Sequence, residues 1–104
     1  MKNRRILWTP QAKESLKETH RFILKMWGDD IAANFLDLVD IRISQITSHA
    51  EIAPKVQNTS YRRLIIHKHV SLFYINDDFV TRVLLFWDNR QDPKKLAKRL
   101  EKFD

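Results

Sequence analysis

The sequence predicts a single α+β domain over residues 1–104, in which an N-terminal strand precedes a helical hairpin that packs on an antiparallel sheet, and a short basic helix ends the chain. Two adjoining segments in the first half carry apolar residues at helical spacing. Three runs rich in β-branched and aromatic residues follow in the second half. A chain of this length buries enough surface for one core without metal or disulfide cross-links.

The first half begins with a short strand, predicted from Arg4 to Thr9. Thr9 and Pro10 then place a capping hydroxyl before a proline at the first helical position, which favours a helix start. The buried side of this helix is predicted to contain Ala12, Leu16, Thr19, Ile23, Met26 and Trp27. Gly28, the only glycine in the chain, predicts the end of the helix. A second helix from Ile31 to Thr47 completes the hairpin.

The second half predicts a meander of three strands after an irregular loop from Ser48 to Ser60. The strands cover residues 61–68, 70–76 and 79–88. Asp92 and Pro93 repeat the capping device before the basic C-terminal helix. In the last strand both alternating sets of side chains are apolar over the distal half, with Val83, Leu85 and Trp87 on one face and Leu84 and Phe86 on the other, so both faces require cover. The hairpin covers one face, and the C-terminal helix, a partner protein, or each in different states covers the other.

The composition bounds the partners and the chemistry. The chain has 19 basic and 13 acidic side chains, which gives a net charge of +6 with histidine neutral. This charge predicts an anionic partner, which is RNA, DNA, an acidic protein or a membrane surface. No cysteine is present, which excludes disulfides, thiolate metal sites and thiol nucleophiles. The apolar run Ile6–Trp8 is too short for a signal peptide or a membrane span, so we expect a cytoplasmic location and no membrane partner.

The order of these elements, together with four sequence segments, resembles the RelE/ParE toxins of bacterial type II toxin–antitoxin systems. The segments are Trp8-Thr9-Pro10-Gln11-Ala12, Tyr61-Arg62-Arg63-Leu64, Leu72-Phe73-Tyr74 and Phe86-Trp87-Asp88-Asn89-Arg90-Gln91-Asp92-Pro93. The resemblance spans nearly the whole chain. It implies a toxin that inhibits growth or stabilises a plasmid, and that forms a hetero-oligomer with the cognate antitoxin that neutralises it. It implies no cofactor.

The resemblance leaves two targets open. ParE-like members act on DNA gyrase, whereas RelE-like members cleave mRNA on the ribosome with a cluster of basic residues. Arg62 and Arg90 fall at two basic positions of the RelE-like pattern and are the candidate catalytic residues. Leu64 and Ser71 stand where further basic residues are usual, and no tyrosine follows Tyr74. If the protein is an enzyme, the resemblance implies an mRNA endoribonuclease that lacks part of the usual set.

RNA cleavage by a 2′-hydroxyl needs a base, an acid and cations that stabilise the developing phosphorane charge. Arg62, Arg63 and Arg90 are suited to the phosphate, and the alternative for Arg90 is a charged hydrogen bond to Asp88. His67 and His69 are weaker candidates for proton transfer, because a solvated strand end explains them equally well. Two histidines without a third ligand predict no metal site.

The remaining candidates are binding residues. Nucleic-acid contacts are expected from Arg63, Lys68, Lys94 and Lys95, with a solvated surface as the alternative. Antitoxin contacts are expected from Leu84, Phe86 and Trp87, because an uncovered apolar strand face favours a partner. Two other functions stay open, which are a non-toxic nucleic-acid-binding module and a degenerate toxin that retains only partner binding.

Overall fold

The helices and strands follow one another in the order that the sequence predicts. The computed structural model describes residues 4–103. Its elements are β1 (Arg5–Trp8), α1 (Pro10–Trp27), α2 (Asp29–Ser48), β2 (Arg62–His67), β3 (Val70–Asn76), β4 (Val80–Asp88) and α3 (Pro93–Leu100), with a 3-10 turn over Glu101–Phe103. In this part of the chain, no helix has the length and apolar character needed to cross a bilayer.

The strands form one mixed sheet in the order β1-β4-β3-β2. The pairs β2–β3 and β3–β4 are antiparallel, as the sequence predicts for the meander. The first strand adds to the edge of this meander and is parallel to β4, with Arg5 opposite Val80 and Trp8 opposite Val83. The α+β class is therefore confirmed, and the fully antiparallel sheet is corrected at β1. A strand of four residues carries no sequence signal for its direction.

The predicted start and end signals of α1 form as expected. The hydroxyl of Thr9 accepts a hydrogen bond from the Ala12 N–H at 3.0 Å, and Pro10 begins α1. Gly28 has a φ of 88°, a left-handed conformation that a residue with a side chain rarely adopts, and it separates α1 from α2. The helical hairpin thus follows from local chemistry.

Apolar clusters pack on both faces of the sheet. On one face, α1 and α2 bury a core that includes Ile23, Phe35, Val39, Ile46, Leu72, Tyr74, Val83 and Phe86. On the other face, a second cluster contains Tyr61, Phe73, Leu84, Leu85, Trp87 and Leu100, with Leu96 and Phe103 packed against it. The C-terminal helix α3 therefore covers this second face. From the sequence, the cover could have been this helix, a partner protein, or each in different states.

A β-bulge in β4 changes which side chains share a face. Phe73 is opposite Leu85, whereas the next residue, Tyr74, is opposite Val83, so Leu84 is the extra residue. Leu84 and Leu85 both join the cluster beneath α3, while Phe86 joins the core beneath the hairpin. The strict alternation that the sequence predicts, with Leu84 and Phe86 on one face, is therefore wrong. A bulge shifts the register by one residue, and a shift of one reverses the faces.

The irregular segment between α2 and β2 is anchored to the sheet. The Tyr74 hydroxyl donates to the Ala50 carbonyl at 2.9 Å, and the Arg63 N–H donates to the Pro54 carbonyl at 3.1 Å. Lys55 forms an isolated antiparallel bridge with Arg62. The loop that the sequence predicts is present, and it covers the first half of the β2 edge.

Candidate functional site

Charged and titratable side chains meet at one end of the sheet. His67 is opposite Val70, and Val70 is opposite Asp88 on the next strand. The N–H of Asn89 donates to the His69 carbonyl at 2.6 Å, which ties the segment after β4 to the β2–β3 turn. We use the term basic corner for the group His67, Lys68, His69, Asp88 and Arg90. Four of these five are residues that the sequence selects as candidates.

Arg90 and Asp88 form the most tightly bonded pair of the basic corner. Arg90 Nε donates to Asp88 Oδ1 at 3.0 Å, and Nη2 donates to Oδ2 at 2.6 Å. The Arg90 backbone N–H also donates to Oδ1 at 2.9 Å. The bonded guanidinium lowers the pKa of Asp88, and the carboxylate raises the pKa of Arg90. Asp88 is therefore ionised at neutral pH and neutralises the charge of Arg90.

The guanidinium of Arg90 also lies against the end of the helical hairpin. Its central carbon is 5.5 Å from the ring centre of Phe22 and 5.3 Å from that of Trp27, both on α1. The two rings are themselves in edge contact at 5.8 Å. Arg90 is thus fixed by a carboxylate and two aromatic rings of its own chain. A phosphate that binds Arg90 must share it with these three groups.

His67 is held in a partly buried position. Its ring is 5.8 Å from the ring of Phe35 at an angle of 77°. Burial lowers the pKa of His67 below 6.5, and the nearby His69 and Arg90 lower it further. Its Nδ1 accepts a long hydrogen bond from the His69 N–H at 3.4 Å. His67 is therefore neutral at pH 7, and its Nδ1 points toward the backbone of the same turn.

Sequence reasoning missed a hydrogen-bonded chain that connects Arg63 to this end of the sheet. Arg63 Nε donates to the hydroxyl of Ser71 at 2.9 Å, and that hydroxyl donates to Asn89 Oδ1 at 3.1 Å. Ser71 is fully buried, whereas Arg63 is exposed. Ser71 thus occupies an expected basic position but serves to position Arg63. The strand alternation could have placed Arg63 and Ser71 on one face, because each faces away from the helical hairpin.

Arg62 lies elsewhere. Its guanidinium donates to the Ala53 carbonyl at 2.7 Å and to the Glu51 carbonyl at 3.4 Å, so it anchors the loop before β2. Arg62 is opposite Tyr74, whereas the basic corner is level with Val70. These two positions are about 13 Å apart along the strand. The structure therefore does not bring Arg62 and Arg90 together, which corrects the expectation that both bind the same phosphate.

The three residues expected to contact an antitoxin are buried by their own chain. Leu84, Phe86 and Trp87 are only 2%, 1% and 3% exposed. Phe86 stacks on Trp8 at 5.6 Å, and the Arg99 guanidinium of α3 lies 5.7 Å from the ring centre of Trp87. The expectation that this strand face is uncovered is thus corrected. Phe86 lies beneath the helical hairpin and α3 covers Leu84 and Trp87, so none of the three offers a docking surface in this structure.

The basic corner opens onto a cavity of about 330 Å³ between α1 and the end of β4. Phe22 and Trp87 contribute apolar walls, and Asp88 and Arg90 contribute polar ones. An ion pair of 3.8 Å between Glu18 and Arg99 connects α1 to α3 beside it. This volume is at the lower limit of small-molecule pockets.

The lysine candidates are all exposed. Lys68 lies in the β2–β3 turn, and Lys94 and Lys95 lie in the first turn of α3. The Lys94 N–H donates to Asp92 Oδ1 at 2.9 Å, which caps α3. Within residues 4–103, no cluster of three or more His, Asp or Glu side chains has the arrangement of a metal site.

Comparison with known proteins gives a family match and several similar folds. Residues 6–93 match the family model described as ParE toxin of type II toxin-antitoxin system, parDE. No curated protein matches significantly. The chromosomal ParDE TA system from P. aeruginosa is 11% identical with a TM-score of 0.70, over 82% of this chain and 95% of that one. The E. coli DinJ-YafQ toxin-antitoxin complex is 14% identical with a TM-score of 0.61, over 85% and 94%.

A third similar structure is the YoeB dimer from Staphylococcus aureus. It is 16% identical to this chain with a TM-score of 0.53, over 78% of this chain and 91% of that one. At such identities the likeness shows the fold alone. The RelE/ParE-like fold expected from the sequence is therefore confirmed.

Proposed function

The chain belongs to the ParE toxin family of type II toxin–antitoxin systems, and on this basis we propose that it is a growth-inhibiting toxin neutralised by a cognate antitoxin. The family match covers residues 6–93, which include both long helices and every strand except the first residue of β1. Two of the similar folds come from structures described as a ParDE system and a toxin-antitoxin complex. These matches support an antitoxin as the protein partner.

For the target, we propose DNA gyrase. This choice rests on one observation, which is that Arg90 already has partners in its own chain. Its guanidinium is bonded to Asp88 and packed on Phe22 and Trp27. A nuclease of the RelE-like type needs cations that are free to meet the developing charge on the phosphorane. Arg62 is likewise bonded to its own loop. Both candidate catalytic arginines therefore have structural partners.

Ribosome-dependent mRNA cleavage is the second candidate function. The hydrogen bonds that link Arg63, Ser71 and Asn89 favour this function, because they hold the exposed guanidinium of Arg63 on the sheet beside the basic corner. In that case Arg63 binds phosphate, and Lys68 and His69 supply further contacts at the same end of the sheet. His69 is the histidine better placed for proton transfer, since Nδ1 of His67 already accepts a hydrogen bond from the His69 backbone N–H.

Inducible expression in bacteria tests the toxin proposal and its target together. We expect growth arrest that is relieved when the product of an adjacent short reading frame is co-expressed. Purified protein is expected to inhibit supercoiling by gyrase, and primer extension is expected to find intact transcripts. New 5′ ends within reading frames would contradict the gyrase target and support mRNA cleavage. Normal growth, combined with salt-sensitive binding to nucleic acid, would instead support a non-toxic binding module.

A further inference from the structure

The cavity beside the basic corner has an aromatic lining that comes from two elements. Phe22 contributes from α1, and Phe86 and Trp87 contribute from β4, around a volume of about 330 Å³. Arg99 of α3 also lines it. Aromatic rings bury a large area and prefer stacked or edge contacts with other rings, so this lining suits a planar aromatic group. The volume is sufficient for a ligand of one or two fused rings.

Four charged side chains at this cavity form two ion pairs of unequal strength. Asp88 and Arg90 are joined by two hydrogen bonds, at 3.0 Å and 2.6 Å. Glu18 and Arg99 approach only to 3.8 Å, which is too long for a hydrogen bond, and each of these side chains is 47% exposed. An exposed ion pair of this length contributes little to stability. A ligand can therefore replace the Glu18–Arg99 pair at small cost, whereas the Asp88–Arg90 pair stays closed.

Arg99 is the group of the cavity that is best prepared to bind an anion. Within residues 4–103, the ion pair with Glu18 is the only contact that the Arg99 guanidinium makes with a polar group. The central carbon of the guanidinium lies 5.7 Å from the ring centre of Trp87, which holds the cation beside the cavity. A guanidinium with free N–H groups binds a carboxylate through two parallel hydrogen bonds. Because Arg99 is already ordered on Trp87, binding costs less conformational entropy.

The charges around Arg99 determine which anion fits. The first turn of α3 carries Lys94 and Lys95, and the whole chain has a net charge of +6, so the field at this helix attracts anions. The carboxylates of Glu18 and Asp88 line the same cavity and repel a ligand in proportion to its negative charge. A carboxylate with a single charge therefore fits better than a phosphate dianion.

We propose that this cavity binds a small aromatic carboxylate. The ring of the ligand packs against Phe22 and Trp87, and its carboxylate replaces Glu18 as the partner of Arg99. The bound molecule then connects α1 to α3 and holds α3 more firmly than the 3.8 Å ion pair does. The inference goes beyond the proposed function, because it assigns a small-molecule ligand and requires neither toxicity nor gyrase.

The test is an NMR titration of the isotope-labelled full chain with indole-3-acetate, which has two fused rings and one carboxylate. Amide shifts are expected at Phe22, Trp87 and Arg99, with a dissociation constant of about 1 mM or below. Indole-3-acetamide has the same shape without the charge, and we expect it to bind about tenfold more weakly. Saturating indole-3-acetate is expected to slow hydrogen exchange in α3 about threefold or more.

Two variants with opposite expected effects test the role of Arg99. Arg99→Gln is expected to weaken the binding of indole-3-acetate about tenfold, because it removes the charge-assisted contact. Lys98→Gln, at an exposed position of α3 with the same loss of charge, is its matched control. Glu18→Gln is expected to tighten binding about threefold, because it frees Arg99 and removes a repulsive carboxylate. Glu14→Gln, at an exposed position one turn earlier in α1, is the control for this variant.

Four outcomes would overturn the proposal. They are an absence of shifts at the cavity when the probe is in large excess, equal binding of indole-3-acetamide, equal losses in Arg99→Gln and Lys98→Gln, and tighter binding of adenosine monophosphate than of indole-3-acetate. Thermal unfolding of each variant shows whether it is folded. Because growth is not measured, these results are separate from the fate of the toxin proposal.

Discussion

Asp88 and Arg90 are joined by two parallel hydrogen bonds, at 3.0 Å and 2.6 Å, that occupy both carboxylate oxygens and one edge of the guanidinium. This geometry is the strong bidentate form of an ion pair. It turns the arginine that follows the last strand toward α1, where it lies over Phe22 and Trp27. Arg90, which matches the arginine of the family pattern, therefore links the end of β4 to α1 in this conformation.

Asp88→Asn is expected to release Arg90 and to raise the affinity for single-stranded RNA. The amide cannot accept two charge-assisted bonds, so the guanidinium becomes available to a phosphate. Fluorescence anisotropy at several salt concentrations measures the change. Asp37→Asn, an exposed α2 variant with the same change of net charge, is the control. An equal gain in both variants would mean that net charge alone, and not the release of Arg90, raises the affinity.

His67 predicts a dependence of stability on pH. Because burial lowers the pKa of His67 below 6.5, the unfolded state binds the proton more readily than the folded state. The contribution of neutral His67 to the free energy of unfolding is therefore fully present above pH 6.5. It is lost as the pH falls from 6.5 toward the lowered pKa. Urea unfolding between about pH 5 and pH 8 measures the slope.

The His67→Gln variant is expected to show a smaller decrease of stability between those pH values than the wild type. His49→Gln, which changes an exposed histidine at the end of α2, is the matched control. His69, Asp88 and Arg90 are the titratable and charged groups next to His67, so the slope is measured at constant ionic strength. Parallel curves for wild type and His67→Gln would contradict the assignment.

Arg62 is expected to contribute to stability and not to chemistry. Arg62→Ala removes the hydrogen bonds to Ala53 and Glu51, and we expect a loss of about 1–2 kcal/mol in the free energy of unfolding. Toxicity on induction is expected to persist once expression levels are matched. Arg5→Ala, at an exposed position of β1, is the control for stability. Loss of toxicity without loss of stability would return Arg62 to the functional site.

The elements that the sequence predicts correctly are those with local signals. The Thr9 cap, the glycine at position 28 and the alternating strands act over a few residues, so they are readable without the fold. The pairing of Asp88 with Arg90, which the sequence offers as one alternative, is confirmed for the same reason, since the two are two residues apart.

The errors concern relationships that only the folded chain determines. The bulge at Leu84 moves one apolar side chain to the other face, and no residue in that strand signals it. Arg62 is bound by carbonyls from a loop of irregular structure, whose path the sequence does not predict. The cover of Trp87 by α3 depends on the direction in which the chain leaves β4. The sequence could therefore supply a short list of candidate residues, but it could not predict which of them lie together in the fold.

Tyr61 controls how firmly α3 is held on the sheet. Its buried hydroxyl donates to the Leu100 carbonyl at 2.9 Å, near the C-terminal end of α3. Tyr61→Phe keeps the ring in the apolar cluster and removes this bond, so we expect a loss of about 1 kcal/mol in the free energy of unfolding. Hydrogen exchange is expected to be faster in α3 than in the wild type, with little change in α1. Lys98→Ala, at an exposed position of α3, is the control, since it leaves the Tyr61 bond intact. If exchange accelerates equally in α1 and α3 of Tyr61→Phe, the hydroxyl stabilises the whole fold and does not specifically secure the terminal helix.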